Sequence, residues 1–123
     1  MTDEELSFKE MCQRFDVTPR TLRYYEYIEL LSPRKTGRAR FYGSREIARM
    51  TLILRGRKFG FSLEEIRQWL LLYDQKGTRE QYQTFVELAN RQLGELVRQR
   101  DSIDATIGEL TELRDVTEAL IKP

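Results

Sequence analysis

Nine cations, Arg34, Lys35, Arg38, Arg40, Arg45, Arg49, Arg55, Arg57 and Lys58, lie within residues 34–58 against a single carboxylate, Glu46. Side chains of this kind bind anions: guanidinium forks match phosphates and guanine edges, and ammonium groups act as point charges. The net charge of +1 hides the imbalance, because residues 1–61 carry +5 and residues 62–123 carry −4. Such a block suits either an anionic partner on one face or plain solvation, and the surrounding elements have to decide. Covalent and acid–base chemistry have far less to work with. The chain has no His and one Cys, Cys12, so an intrachain disulfide and the usual zinc ligand sets cannot be built. Imidazole catalysis is excluded in the same way. With no glycine-rich phosphate loop and no nucleophile–base pair, we expect no catalytic residue, no metal and no cofactor, hence no enzyme.

The elements that must position the cations are marked by helix starts. Ser7-x-x-Glu10, Ser62-x-x-Glu65 and Thr78-x-x-Gln81 are capping boxes, and Thr18-Pro19 places a cap before a proline in the first helical position. With Ser44 as a further cap, helices are predicted over 7–15, 18–28, 44–58, 62–74 and 78–121. Phe8, Met11, Cys12 and Phe15 give the first helix an apolar face, with Cys12 as a core filler. Only Asp16-Val17 separates it from the second, the length cue for a helix-turn-helix. In the second helix Leu22 and Tyr25 can face inward with Val17, leaving Thr18, Arg20, Thr21, Arg23 and Tyr24 toward an anionic partner near its N-terminal end. Gly37 between short polar arms, followed by Phe41-Tyr42, predicts a basic β-hairpin with Arg38 and Arg40 near its tip. Leu63, Ile66, Trp69, Leu70 and Tyr73 are the expected apolar face of the fourth helix.

The 123 residues, 40% hydrophobic and 11% aromatic, suit one small domain with a long extension. The longest apolar run, Trp69 to Tyr73, is far short of the roughly 20 residues of a membrane span. The acidic start Met1-Thr2-Asp3-Glu4-Glu5 is the reverse of a signal-peptide n-region, so a cytoplasmic location without membrane contact is expected.

Four blocks occur in an order that resembles the MerR family of bacterial transcription regulators: Thr21-Leu22-Arg23-Tyr24-Tyr25-Glu26, Leu30-Leu31-x-Pro33, Gly37 with Arg40-Phe41-Tyr42, and Phe59-Gly60-Phe61-Ser62-Leu63-Glu64-Glu65-Ile66. The resemblance implies a mainly α chain: a winged helix-turn-helix DNA-binding domain over 1–75, then a long dimerisation helix over 76–123 that pairs as an antiparallel coiled coil. It implies DNA contacts from Arg23 and Tyr24, wing contacts from Arg38, Arg40 and Tyr42, and phosphate contacts from Arg57 and Lys58. Two departures stand out. Glu29 replaces the usual Gly after the recognition helix, and the hairpin is one residue longer than the commonest wing. Founding members sense metal through cysteines around and beyond the long helix. This chain has none there, so no metal or iron–sulfur sensing of that kind is expected. It resembles a short form without a C-terminal effector domain.

Residues 78–121 read as one helix of about 66 Å. Steps of four and three from Tyr82 meet Val86, Ala89, Leu93, Leu96, Arg100, Ile103, Ile107, Leu110, Arg114, Thr117 and Ile121, and nine of these twelve positions are apolar. Leu113, Val116 and Leu120 form a second stripe, a coiled-coil pattern with a phase shift near its end. A helix this long must cover its stripe with another chain, so Val86, Ala89, Leu93, Leu96, Ile103, Ile107 and Leu110 are expected in a homodimer seam. Glu95, Asp101, Asp104, Glu109, Glu112, Asp115 and Glu118 argue against this segment touching DNA. The leading expectation is a dimeric, sequence-specific regulator that distorts double-stranded promoter DNA at a near-palindromic operator, with RNA polymerase as the further partner implied by the resemblance. An architectural or recombination accessory protein that bends DNA, and a coiled-coil adaptor with a merely solubilising basic block, are the other readings.

Overall fold

Local side-chain chemistry starts nearly every element. In the computed structural model, residues 4–123 are described, and residues 1–3 of the acidic opening lie outside the described residues. Helix α1 (Phe8–Phe15) opens from the Ser7 box, with the Glu10 N–H donating to Ser7 Oγ at 3.2 Å and the Ser7 N–H to Glu10 Oε1 at 2.9 Å. Helix α2 (Pro19–Tyr27) opens from Thr18. Helix α3 (Ser44–Phe59) corrects one expectation: Gly43 holds the cap position without a side-chain bond, and Ser44 is already helical. Helices α4 (Leu63–Asp74) and α5 (Arg79–Ile121) open from the Ser62 and Thr78 boxes. Each box satisfies two backbone donors that would otherwise be orphaned.

Helix ends follow a second rule. After α1, α2 and α3 the chain turns through left-handed residues, Asp16 at φ +52°, Glu29 at +64° and Gly60 at +91°. In each case the two N–H groups at the turn fold back on carbonyls of the last helical turn; after α2 these are Glu29 N–H to the Glu26 carbonyl at 3.0 Å and Leu30 N–H to the Tyr25 carbonyl at 2.9 Å. Glu29 therefore keeps the geometry that Gly serves in the resembling family, against the steric cost of a Cβ at positive φ. Glu29→Gly should raise stability by about 0.5–1 kcal/mol, since the relief of that clash exceeds the added chain entropy of Gly. Urea unfolding measures it, and an unchanged or lower midpoint would contradict the strain argument.

Three short strands accompany the first four helices: β1 (Leu6–Ser7), β2 (Arg34–Thr36) and β3 (Ala39–Tyr42), in antiparallel order β1-β3-β2. The β2–β3 hairpin registers Thr36 with Ala39, so its loop is Gly37-Arg38, with Gly37 at φ +60°. Strand β1 was not expected; it adds Leu6 opposite Tyr42 and anchors the wing beside α1.

The core beneath these elements comprises Met11, Leu22, Leu30, Leu31, Tyr42, Met50, Ile53, Ile66 and Leu70, all essentially inaccessible. Helices α3 and α4 approach closely at Gly56, where a Cβ would stand 2.7 Å from Ile66 Cγ1, so a larger residue would force the buried Ile66 side chain to shift. Ile66 and Leu70 face inward as expected, whereas Tyr73 is 66% exposed and lies outside the core. Arg49 donates to the Leu30 carbonyl at 3.0 Å and pairs with Asp74, which also takes Arg45 at 3.0 Å. Arg67 of α4 donates to the Ile28 carbonyl. The C-terminal end of α2 is thus held by side chains from both α3 and α4.

The chain divides into two compact units after Gly77, two residues beyond the boundary read from sequence. The second unit is α5 itself, 43 residues and about 65 Å long, with no side chain buried. Val86, Leu93, Ile103, Ile107 and Leu110 are more than half exposed along it, and Leu96 is 36% exposed. No described helix is long and apolar enough to cross a membrane.

Candidate nucleic-acid interface

The link between α1 and α2 sets the geometry of the site. Thr18 Oγ1 accepts the Thr21 N–H at 3.1 Å and donates its own hydrogen to Thr21 Oγ1 at 3.0 Å. Both threonines expected at the interface are therefore engaged in the cap, and the hydroxyl hydrogen left to donate outward belongs to Thr21. Burial of Leu22 and Tyr25 then turns Arg20, Arg23, Tyr24 and Tyr27 outward as one stripe at i, i+3, i+4 and i+7. Tyr27, 84% exposed, was missed in the sequence reading although the same spacing that gave Arg20 and Arg23 extends to it.

Two open grooves flank this stripe. One is lined by Arg20, Thr21, Arg23, Tyr24, Tyr27 and Arg57, so the end of α3 contributes a cation beside α2. The other lies between α1 and the wing and is lined by Lys9, Arg23, Arg38 and Arg40 with Phe8 and Phe41. No acidic side chain lines either groove. Arg23 belongs to both, its guanidinium carbon 5.8 Å from the centroid of the Phe8 ring. Lys58 is exposed at the end of α3 and lines neither groove. Among the described residues Arg20, Arg38, Arg57 and Lys58 form no ion pair.

The nine-cation block is thus divided in use. Arg34 pairs with Glu5 at 2.9 Å and lies 4.7 Å from the Phe41 centroid. Arg45 and Arg49 are held by Glu46 and Asp74. Those three serve the fold, while Arg38 and Arg57 stay with the grooves. Arg40 does both: its Nε donates to Glu26 Oε1 at 2.7 Å, yet it lines the wing groove.

Tyr42 departs from the wing contact that the resemblance implied. Its side chain is fully buried, and its hydroxyl donates to Glu26 Oε2 at 2.8 Å. One carboxylate of α2 therefore holds two residues of β3, which fixes the β2–β3 hairpin against α2. Burial, and then the hydrogen bond to Glu26, push the Tyr42 phenol well above its ordinary value near 10. A pKa raised in the folded state means that this stabilisation is complete below about pH 10 and is lost as pH climbs beyond it. Tyr42→Phe should cost about 1–2 kcal/mol at neutral pH, because Glu26 loses a donor. The gap between the two proteins in urea should then narrow above pH 10. A constant gap across that range would show that the phenol does not carry the effect.

Known proteins are similar to this chain in sequence and fold. Residues 6–72 match the family model described as MerR HTH family regulatory protein, and residues 47–113 match the one described as MerR, DNA binding. The HTH-type transcriptional regulator HmrR of Rhizobium leguminosarum bv. viciae is 34% identical over 117 residues, covering 94% of this chain and 84% of its own. A MerR-family transcriptional regulator from Bacillus cereus superposes with a TM-score of 0.74 at 24% identity, covering 98% of this chain and 87% of that one. HiNmlR, a MerR family regulator lacking the sensor domain and bound to promoter DNA, superposes with a TM-score of 0.63 at 16% identity, each chain being 98% covered. Below 25% identity these two structures speak to the fold alone.

Proposed function

Because this chain belongs to the MerR family of DNA-binding transcription regulators, we propose that it acts as a homodimer on a near-palindromic operator in the bacterial cytoplasm. In this reading α2 enters the major groove, and the wing and the end of α3 reach the flanking backbone. The observation that carries it is the exposed stripe Arg20, Arg23, Tyr24 and Tyr27, which lines one cation-rich groove and through Arg23 borders a second, with no carboxylate in the lining of either. A merely solvated basic surface has no reason to keep acids out of both grooves while consuming Arg34, Arg45 and Arg49 internally.

Dimerisation rests on α5, whose apolar seam is left uncovered over 43 residues. Residues 79–100 carry a slight positive excess and residues 101–122 a strong negative one, so antiparallel pairing opposes unlike charges and parallel pairing opposes like ones. RNA polymerase is the further partner, engaged through the promoter that the dimer reshapes.

Two substitutions separate reading of bases from holding of phosphates. Arg23→Ala should cost about 1–3 kcal/mol on the operator and little on a scrambled duplex. Lys58→Ala should weaken both duplexes alike and reduce the salt dependence. Binding titrations on the two duplexes decide it, and unchanged operator affinity in Arg23→Ala would remove α2 from the recognition role.

A further inference from the structure

The groove between α1 and the wing contains a residue that neither the helix-turn-helix pattern nor the wing accounts for. Lys9 lies on the exposed side of α1, forms no ion pair among the described residues, and lines the groove together with Arg38 and Arg40. These three come from three separate elements: the first turn of α1, the two-residue hairpin loop and strand β3. Strand β1 makes the meeting possible, since its pairing with β3 joins the start of α1 to the wing. The arrangement at Arg40 is directional. Glu26 engages its Nε alone, leaving both terminal amino groups for another acceptor. Glu26 is itself only 9% exposed and is held by the buried Tyr42 hydroxyl, so Arg40 is positioned before any ligand arrives.

Lys9 and Arg38 have no carboxylate partner among the described residues, and Glu26 engages Arg40 through Nε alone, so an anion seated among the three relieves their mutual repulsion. An ammonium group binds a phosphate oxygen well as a point charge, and Lys9 lies on α1, off the exposed stripe of α2. We propose that this groove seats a backbone phosphate of the operator, flanking the half-site read by α2, and that Lys9 is one of its ligands. The proposal rests on the DNA-binding reading above and adds to it a site on α1. Arg38 and Arg40 then act on the phosphate rather than on bases, and Arg23, on the border of the two grooves, remains free for the major groove.

The test replaces single operator phosphates by uncharged methylphosphonates and measures the affinity of wild type, Lys9→Ala and Lys9→Arg. Wild type should have a phosphate beside each half-site whose neutralisation weakens binding, and Lys9→Ala should be indifferent to that same replacement. Between about 50 and 200 mM salt, Lys9→Ala should lose about 3.5-fold less affinity than wild type for each Lys9 removed, while Lys9→Arg keeps the wild-type response. Lys9 is exposed, so the alanine variant should retain the wild-type fold. If wild type binds the operator and Lys9→Ala matches it in affinity, salt response and phosphate sensitivity, the phosphate seat is overturned and the DNA-binding reading stands. If wild type binds no duplex at all, both fall.

Discussion

Leu96→Asp should leave the chain monomeric and reduce operator affinity by at least about 10³-fold, the margin that separates specific from non-specific binding in many DNA-binding proteins. Leu96 lies in the middle of the α5 seam with Leu93 before it and Ile103 after it. A carboxylate there would be drawn from water against an apolar partner face on pairing, with only Arg100 one turn away to offset its charge, at a cost of several kcal/mol. One recognition helix alone reads one half-site, and the loss of the second removes about half of the specific contacts. The first compact unit ends at Gly77, so its own fold should survive the change. Light scattering and operator titration on the same sample give the two readouts. A variant that is monomeric at micromolar concentration yet binds the operator as wild type does would separate DNA binding from dimerisation and sink this part of the account.

Shortening the promoter spacer by about one or two base pairs should make transcription at an activated target independent of the protein. Two recognition helices on one stiff dimer enter successive major grooves only if the intervening DNA takes a matching spacing and twist. Arg38, Arg40 and Arg57 extend positive surface beyond α2, so DNA bent toward the protein gains phosphate contacts that offset a bending cost of about 1–6 kcal/mol. An overlong spacer, bent and untwisted at its centre, would bring both promoter elements into the alignment that polymerase needs. Chemical probing should then find hyper-reactive bases at the operator centre. A straight, uniformly protected operator, with a shortened promoter that still requires the protein, would replace this mechanism with repression by occupancy.

What could be read from the sequence follows the range of the interactions involved. Capping boxes are local, and Ser7, Ser62 and Thr78 placed their helices to within a residue. The turn after α1 was equally legible from two residues. Strand β1 was not, because Leu6-Ser7 has no strand pattern of its own and exists only through its pairing with β3, 34 to 36 residues away. Tyr42 was assigned to the surface since its partner, Glu26, lies 16 residues earlier and no periodicity connects them. The same distance hid the division of the basic block, where Asp74 claims Arg45 and Arg49 across 29 and 25 residues. Glu29 stands where the resembling family usually has Gly, yet the backbone bonds to Tyr25 and Glu26 hold the left-handed turn with Glu in place. Tyr27 and Lys9 were within reach: one lies on the helical stripe already drawn, and the other is a lone cation whose neighbours only the wing supplies.

The most direct test of the central claim is selection of bound duplexes from a random-sequence library by the purified full chain, repeated with Arg23→Ala. The account predicts enrichment of a near-palindromic motif, its half-sites about one helical turn apart or a multiple of it, and loss of that motif in the variant. Recovery of sequences with no common motif, or the same motif from both proteins, would contradict it.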